Sequence, residues 1–186
     1  MAQSATMYRF HIDLSDIDHG LYESLDLRVA RHPSEDEDRV VVRVLARAIA
    51  HEPGLAFGRG LSNVEDAALW RHSPAGEIET WIEVGMPSAD RLHRASKAAR
   101  TLRVFTDKPA VLLRKAWSSR VVHGATQIEI VQLPRGLVRE LARNLGQNVT
   151  WYLMLQDGQI QVASEEHSVD GPLTRLSLQD FLSAPT

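Results

Sequence analysis

The sequence predicts an α/β or α+β fold: a mixed β-sheet flanked by helices, with antiparallel strand pairs at both ends. Three observations carry this. Alternating strands open the chain around Tyr8, Phe10 and Ile12, and recur on either side of Asp157-Gly158 near its end. Between them, strand-like and helix-like periodicities take turns. The 186 residues, 44% hydrophobic and 24% charged, match an ordinary soluble globule. At roughly 150 residues per domain this is about one domain. No repeat, linker or low-complexity run divides it, so residues 1–186 are expected to form a single domain.

The elements follow in order. Tyr8–Asp13 and Leu21–Val29 alternate and predict an antiparallel pair. Pro33, then Ser34-x-x-Glu37, reads as a helix start with a capping box. The helix is expected to run to about Ala50, with Val40, Val41, Val44, Leu45 and Ala48 buried and Arg39, Arg43 and Arg47 opposite. Gly54–Asn63 is turn-rich and allows a short strand at Leu55–Phe57, and Leu69–His72 adds another. Ser73-Pro74-Ala75-Gly76 is a turn before the strand Glu77–Val84. Ser88 caps a helix from about Ala89 to Arg100, whose narrow apolar arc (Leu92, Ala95, Ala98, Ala99, Leu102) faces away from His93, Arg94, Lys97 and Arg100. A strand at Leu102–Phe105, a helix at Ala110–Ser118 and a strand at Thr126–Leu133 come next. Pro134 opens a helix that ends near Gly146. Val149–Gln156 and Gln159–Ala163 flank Asp157-Gly158 as a hairpin, and Leu173–Leu178 supplies a last strand.

Composition excludes several chemistries. With no cysteine there are no disulfides, thiolate zinc sites, iron–sulfur clusters or cysteine nucleophiles. No run reaches the ~18 apolar residues of a membrane span, and the opening Met1-Ala-Gln-Ser-Ala-Thr-Met-Tyr8 lacks the regions of a secretory signal. A cytoplasmic protein with no membrane partner is expected. The net charge of −3 hides a polarity: residues 1–93 carry −7 and residues 94–186 carry +4. Arg91, Arg94, Lys97, Arg100, Arg103, Lys108, Arg114, Lys115 and Arg120 crowd one stretch, opposed within it only by Asp107. Such an excess attracts polyanions; it also suits two surface helices solvated by arginine.

The eight histidines are scattered without a helical zinc spacing, and neither a phosphate-cradling glycine loop nor a Gly-x-Ser-x-Gly elbow is present. The carboxylates say more. Period two on the strand 77–84 places Ile78, Ile82 and Val84 on one face and Glu77, Glu79, Trp81 and Glu83 on the other. Covered on both sides, three glutamates on one face suit a hard cation held by oxygen ligands. As an edge strand, the same face simply meets water. Glu79 and Glu83 lie ~13 Å apart on an ideal strand, so one ion needs a bulge or a carboxylate from elsewhere. Asp66, with Glu65, is a reserve from the turn-rich segment and otherwise a solvated loop acid. Trp81 is expected at a lid or under the basic helix.

Several motifs in fixed order resemble the YaeQ family. They are Ala5-Thr6-Met7-Tyr8, Arg31 before His32-Pro33-Ser34-Glu35, Trp81-Ile82-Glu83-Val84-Gly85-x-Pro87 ahead of an Arg-rich helix, and Gln156-Asp157-Gly158. The resemblance spans nearly the whole chain. It implies a variant of the PD-(D/E)XK, restriction-endonuclease-like core, in which a helix supplies a Glu, adjacent strands supply an acidic pair, and a Lys commonly lies two residues after the second acid. Carried onto this chain, Glu35 is the helix carboxylate and Glu79 and Glu83 the strand acids. All three are candidate catalytic residues and ligands of Mg²⁺ or Mn²⁺. Gly85 stands where the Lys would be. Arg94 and Lys97 on the following helix are the candidate replacements, although an arginine cannot accept a proton. Arg91, Arg94, Lys97 and Arg100 would contact nucleic acid.

Two functions follow from that resemblance. The leading one is a metal-dependent nuclease, in which the cation activates water for phosphodiester hydrolysis, and a basic helix directly after the acidic strand suits it. The other is a catalytically degenerate nuclease fold that binds nucleic acid or protein without cleaving. The absent Lys, Arg94 and the apolar Met86 favour the second. A third reading treats these acids and bases as ordinary surface.

Overall fold

The computed structural model describes residues 6–59 and 65–184. It contains two mixed sheets rather than the one expected. β1 (Thr6–Asp16) and β2 (Leu21–Arg31) form the antiparallel opening pair. Further along come α1 (Glu37–Ile49), β3 (Ala56–Phe57), β4 (Leu69–His72), β5 (Ile78–Val84), α2 (Ala89–Ala98), β6 (Ala99–Thr106), α3 (Ala110–Trp117) and β7 (Glu129–Gln132). The chain continues through α4 (Arg135–Arg143), β8 (Asn148–Gln156), β9 (Gln159–Ala163), β10 (Ser168–Pro172), β11 (Thr174–Ser177) and α5 (Leu178–Ser183). The first sheet has the order β10-β9-β8-β1-β2 and the second β11-β7-β6-β5-β4-β3. β1 pairs with β8 in parallel, and β5, β6 and β7 run parallel to one another. No helix among the described residues is long and apolar enough to cross a membrane.

α1 lies between the sheets, and this explains a difference from its sequence pattern. Arg43 was expected on a solvent face with Arg39 and Arg47; instead it is buried, as are Val42 and Ala46. A helix wheel assigns one face to water, but this helix packs on β1 and β2 on one side and on β5 and β6 on the other, with α4 beside it. Its valine run is a poor helix former by itself. Burial on all sides stabilises it, at about 1.5–3 kcal/mol for each large apolar side chain. The helix also starts later than the capping box implies. Asp36 is the N-cap, accepting from the Arg39 N–H at 2.8 Å, while the Ser34 hydroxyl bonds to His32 Nδ1.

The far face of the second sheet is covered by α2, α3 and α5, where Leu92, Ala95, Leu113, Trp117, Leu178 and Phe181 meet Trp81, Leu102 and Val104. α2 ends at Ala98 and β6 begins at once. Arg100, Ala99 and Leu102 are therefore strand residues, and the predicted helix to Arg100 is corrected by two residues. The 157–158 hairpin forms as expected, with Asp157 and Gly158 both at positive φ. β10 and α5 had not been expected, and the last strand shortens to β11.

Two glycines are required where they stand. A Cβ on Gly58 would sit 2.0 Å from the Ala67 carbonyl oxygen. Gly85 closes β5 with φ +83° and donates its N–H to Phe105 O at 2.9 Å.

Candidate functional site

The expected carboxylates do not converge. Glu35 precedes α1 and is buried. Both of its carboxylate oxygens accept from Arg43, Oε1 from Nε and Oε2 from Nη2, each at 2.8 Å. Arg39 Nε stands 3.4 Å from Oε1, and the His32 N–H adds a longer bond to Oε2. Arg43 also donates to Ala30 O on β2. These contacts make Glu35 the hub that ties the end of β2 to α1, with its lone pairs directed at guanidinium groups.

Glu79 was expected on the same face as Glu83. The β4–β5 register slips between Arg71 and His72: Arg71 faces Thr80 and His72 faces Ile78, which leaves Glu79 unmatched. The irregularity breaks the period-two alternation. Ile78 joins the cluster around Trp81, while Ile82 and Val84 face α1. Glu79 pairs instead with Arg71 Nη2 at 3.0 Å, and Arg71 also reaches Glu52 just past α1. A bulge that would have brought Glu79 toward Glu83 exists in the strand, but it leads Glu79 away.

Glu83 remains as the strand acid, 4% exposed, on the face toward α2. Its Oε1 accepts from Trp81 Nε1 at 2.6 Å and from Arg91 Nε at 2.7 Å. Arg91 sits over the Trp81 ring, 5.8 Å from its centroid, and its Nη2 donates to the Asp66 carbonyl at 2.6 Å. Ser88 caps α2 by accepting the Arg91 N–H, so the cap that starts the helix also aims this side chain. Trp81 thus lies beneath the basic helix. Burial lifts the Glu83 carboxyl above its usual range; the Trp81 hydrogen bond, Arg91 and Arg39 oppose that rise.

Asp66 belongs beside this group and was underrated in the sequence. It is buried rather than a solvated loop acid. Arg59 clamps both its oxygens, at 2.7 and 2.9 Å. That hydrogen bonding holds its carboxyl below the usual range, and the Arg91 charge adds to the effect. The signal available in the sequence was position: Asp66 comes just before β4, the strand that pairs with β5.

Arg39 reaches the end of β5 from α1. Its Nη1 donates to Val84 O at 2.9 Å and lies 3.2 Å from where a Gly85 Cβ would be. Burial lowers its pKa, with Glu35 and Glu83 acting in the other direction. Among the described residues, no three His, Asp or Glu side chains are placed to hold a metal ion together. Glu35, Glu79 and Glu83 belong to three separate ion pairs, and as arranged they do not fit a Mg²⁺ or Mn²⁺ site.

The basic side chains divide differently. Arg91 is committed to Glu83 and Asp66. Arg94, Lys97 and Arg100 are exposed, and none of the three is in an ion pair among the described residues. Arg94 and Lys97 are three apart on α2 and share a face. His93 lies close to this surface. Its Nδ1 accepts from the His123 N–H, and burial together with the charges of Arg120, Lys97 and His123 holds it below its usual pKa.

Comparison with known proteins places the chain. The family described as "YaeQ protein" matches residues 1–172. This chain belongs to the YaeQ family. Its members in Salmonella typhi and Escherichia coli (strain K12), both named "Uncharacterized protein YaeQ", are each 27% identical over 176 residues, 94% of this chain and 97% of theirs. The crystal structure of YaeQ protein from Pseudomonas syringae superimposes with TM-score 0.83 at 32% identity, covering 92% of this chain and 96% of that one. The YaeQ protein of Xanthomonas axonopodis pv. citri gives TM-score 0.82 at 29% identity, covering 93% and 97%. The two mixed sheets and their flanking helices are thus a fold shared with both of these structures.

Proposed function

We propose that this YaeQ-family chain is a restriction-endonuclease-like protein that binds nucleic acid through the exposed basic surface of α2 and the start of β6 without cleaving it. The core reading is supported by α1 preceding a β4–β5 antiparallel pair, followed by α2 crossing to the parallel strand β6. In that frame Glu35 comes from the helix side, Asp66 from the turn that enters β4, and Glu83 from the neighbouring strand β5. One observation carries the non-cleaving reading: these acids are held by arginines, Glu35 by Arg43, Asp66 by Arg59 and Glu83 by Arg91. Arg94, Lys97 and Arg100 meanwhile remain open to a phosphate backbone. At Gly85, φ +83° strains any side chain, the usual lysine included, and a Cβ would stand 3.2 Å from Arg39 Nη1.

Metal-dependent phosphodiester hydrolysis at Glu83 is the second reading. What favours it is a buried strand carboxylate with a raised pKa beside a basic helix, a combination common at catalytic sites.

The test is a salt titration of binding to fluorescein-labelled single-stranded and duplex oligonucleotides in EDTA, comparing wild type with R94E/K97E/R100E. Each phosphate contact contributes about 0.7–0.9 to the slope of log K against log salt. Wild type is expected to bind, and the triple variant to bind more weakly with a slope shallower by about 2–3. Absence of binding by wild type, or equal slopes for the two proteins, contradicts the proposal.

A further inference from the structure

The position of Arg91 is unusual for a residue of a basic, nucleic-acid-facing helix. It points inward. Its Nε takes Glu83 Oε1 at 2.7 Å, its Nη2 takes the Asp66 carbonyl at 2.6 Å, and its guanidinium lies over Trp81. Glu83 is 4% and Asp66 7% exposed. Arg39 adds a second positive charge near Glu83 from the α1 side. A divalent ion at Glu83 would have to displace a charge-assisted hydrogen bond and approach two guanidinium groups, both unfavourable in a partly desolvated site.

We infer that Arg91 is a tethered cation occupying the place between Glu83 and the Asp66 turn that a divalent metal ion takes in a metal-dependent nuclease. The inference rests on reading Glu83 as the strand acid of a nuclease-like core. Arg91 neutralises that acid and bridges β5 to the segment entering β4. Its guanidinium lies over the Trp81 ring, so the cation comes with its own anchor. The site is closed by covalent attachment of its occupant. Removing the side chain takes the donor from Glu83 Oε1 and from the Asp66 carbonyl oxygen, while the Asp66 carboxylate stays held by Arg59.

The experiment measures Mn²⁺ binding by the loss of the free-ion EPR signal on the full-length protein. Wild type, R91A, R91M and R91A/E83Q are compared, with folding checked by circular dichroism. R91M keeps an unbranched apolar side chain over Trp81 should R91A fail to fold. The inference expects R91A or R91M to bind Mn²⁺ at least about tenfold more tightly than wild type, a difference of about 1.4 kcal/mol. R91A/E83Q is expected to lose that gain. Two results overturn it: wild type binding Mn²⁺ through Glu83 as tightly as the Arg91 variants, or folded Arg91 variants gaining no affinity. Oligonucleotide binding by wild type in EDTA is measured separately, so loss of the nucleic-acid reading is told apart from loss of this one.

Discussion

Replacing Glu35 with alanine is expected to lower the unfolding free energy by about 3–5 kcal/mol, the usual effect of removing one partner from a buried ion pair. For a chain of this length that lowers Tm by about 6–20 °C. The side chains of Glu35 and Arg43 are 2% and 6% exposed, and Arg43 would keep the Ala30 carbonyl and the Phe57 ring as contacts but lose its carboxylate counter-charge. The large effect comes from the stranded charge, so E35L/R43M, which removes both charges together, is expected to recover most of the loss. Thermal denaturation of the three proteins checks this. A metal-ligand role for Glu35 predicts the reverse: near-normal Tm in E35A, because relieving carboxylate crowding at an empty site costs little. A Tm drop under about 2 °C contradicts the structural role.

Trp117→Ala is expected to cost about 3–5 kcal/mol. Trp117 is fully buried on α3, packs at a tilt against Phe181 with ring centroids 5.5 Å apart, and donates its Nε1–H to the Pro87 carbonyl at 2.8 Å. That last bond ties α3 to the Gly85–Ser88 connection, which aims α2 and hence Arg91. The cavity left by alanine and the orphaned Pro87 carbonyl act on the same segment. Trp117→Phe keeps an aromatic ring and loses the bond and some volume, so it should fall between alanine and wild type. Chemical denaturation gives both values. An alanine variant within about 1 kcal/mol of wild type would show that the site collapses around the gap.

What was legible in the sequence depended on whether local pattern or pairing decided it. β1 alternates because one face packs on α1 and the other meets water, and Asp157-Gly158 marks its hairpin because both residues adopt positive φ. These are local facts. The existence of two sheets is not local: β1 pairs with β8 across more than 130 residues of sequence, and periodicity does not say which strands become neighbours. Arg43 was misplaced because a central helix leaves only a narrow strip, Arg39 and Arg47 on it, partly open to solvent. Glu79 was misplaced because a register slip reverses alternation, and no residue type announces it. Asp66 and Arg91 were both visible as residues, but their meeting across the Glu83 carboxylate depends on the β4–β5 pairing and on α2 docking over Trp81. Arg94, Lys97 and Arg100 were legible as a cluster, whereas Arg91 was grouped with them by spacing and separated from them by its partners.

The measurement that tests the account most directly is fluorescence anisotropy of a labelled oligonucleotide with the wild-type protein, in EDTA and in Mg²⁺ at matched ionic strength. The oligonucleotide is recovered afterwards and its length measured on a denaturing gel. The account predicts equal affinity in both conditions and an intact strand, because Arg94, Lys97 and Arg100 make the contacts and Arg91 holds the strand acid. Binding that requires Mg²⁺, or a strand shortened by wild type in Mg²⁺ and left intact by E83Q, would contradict it.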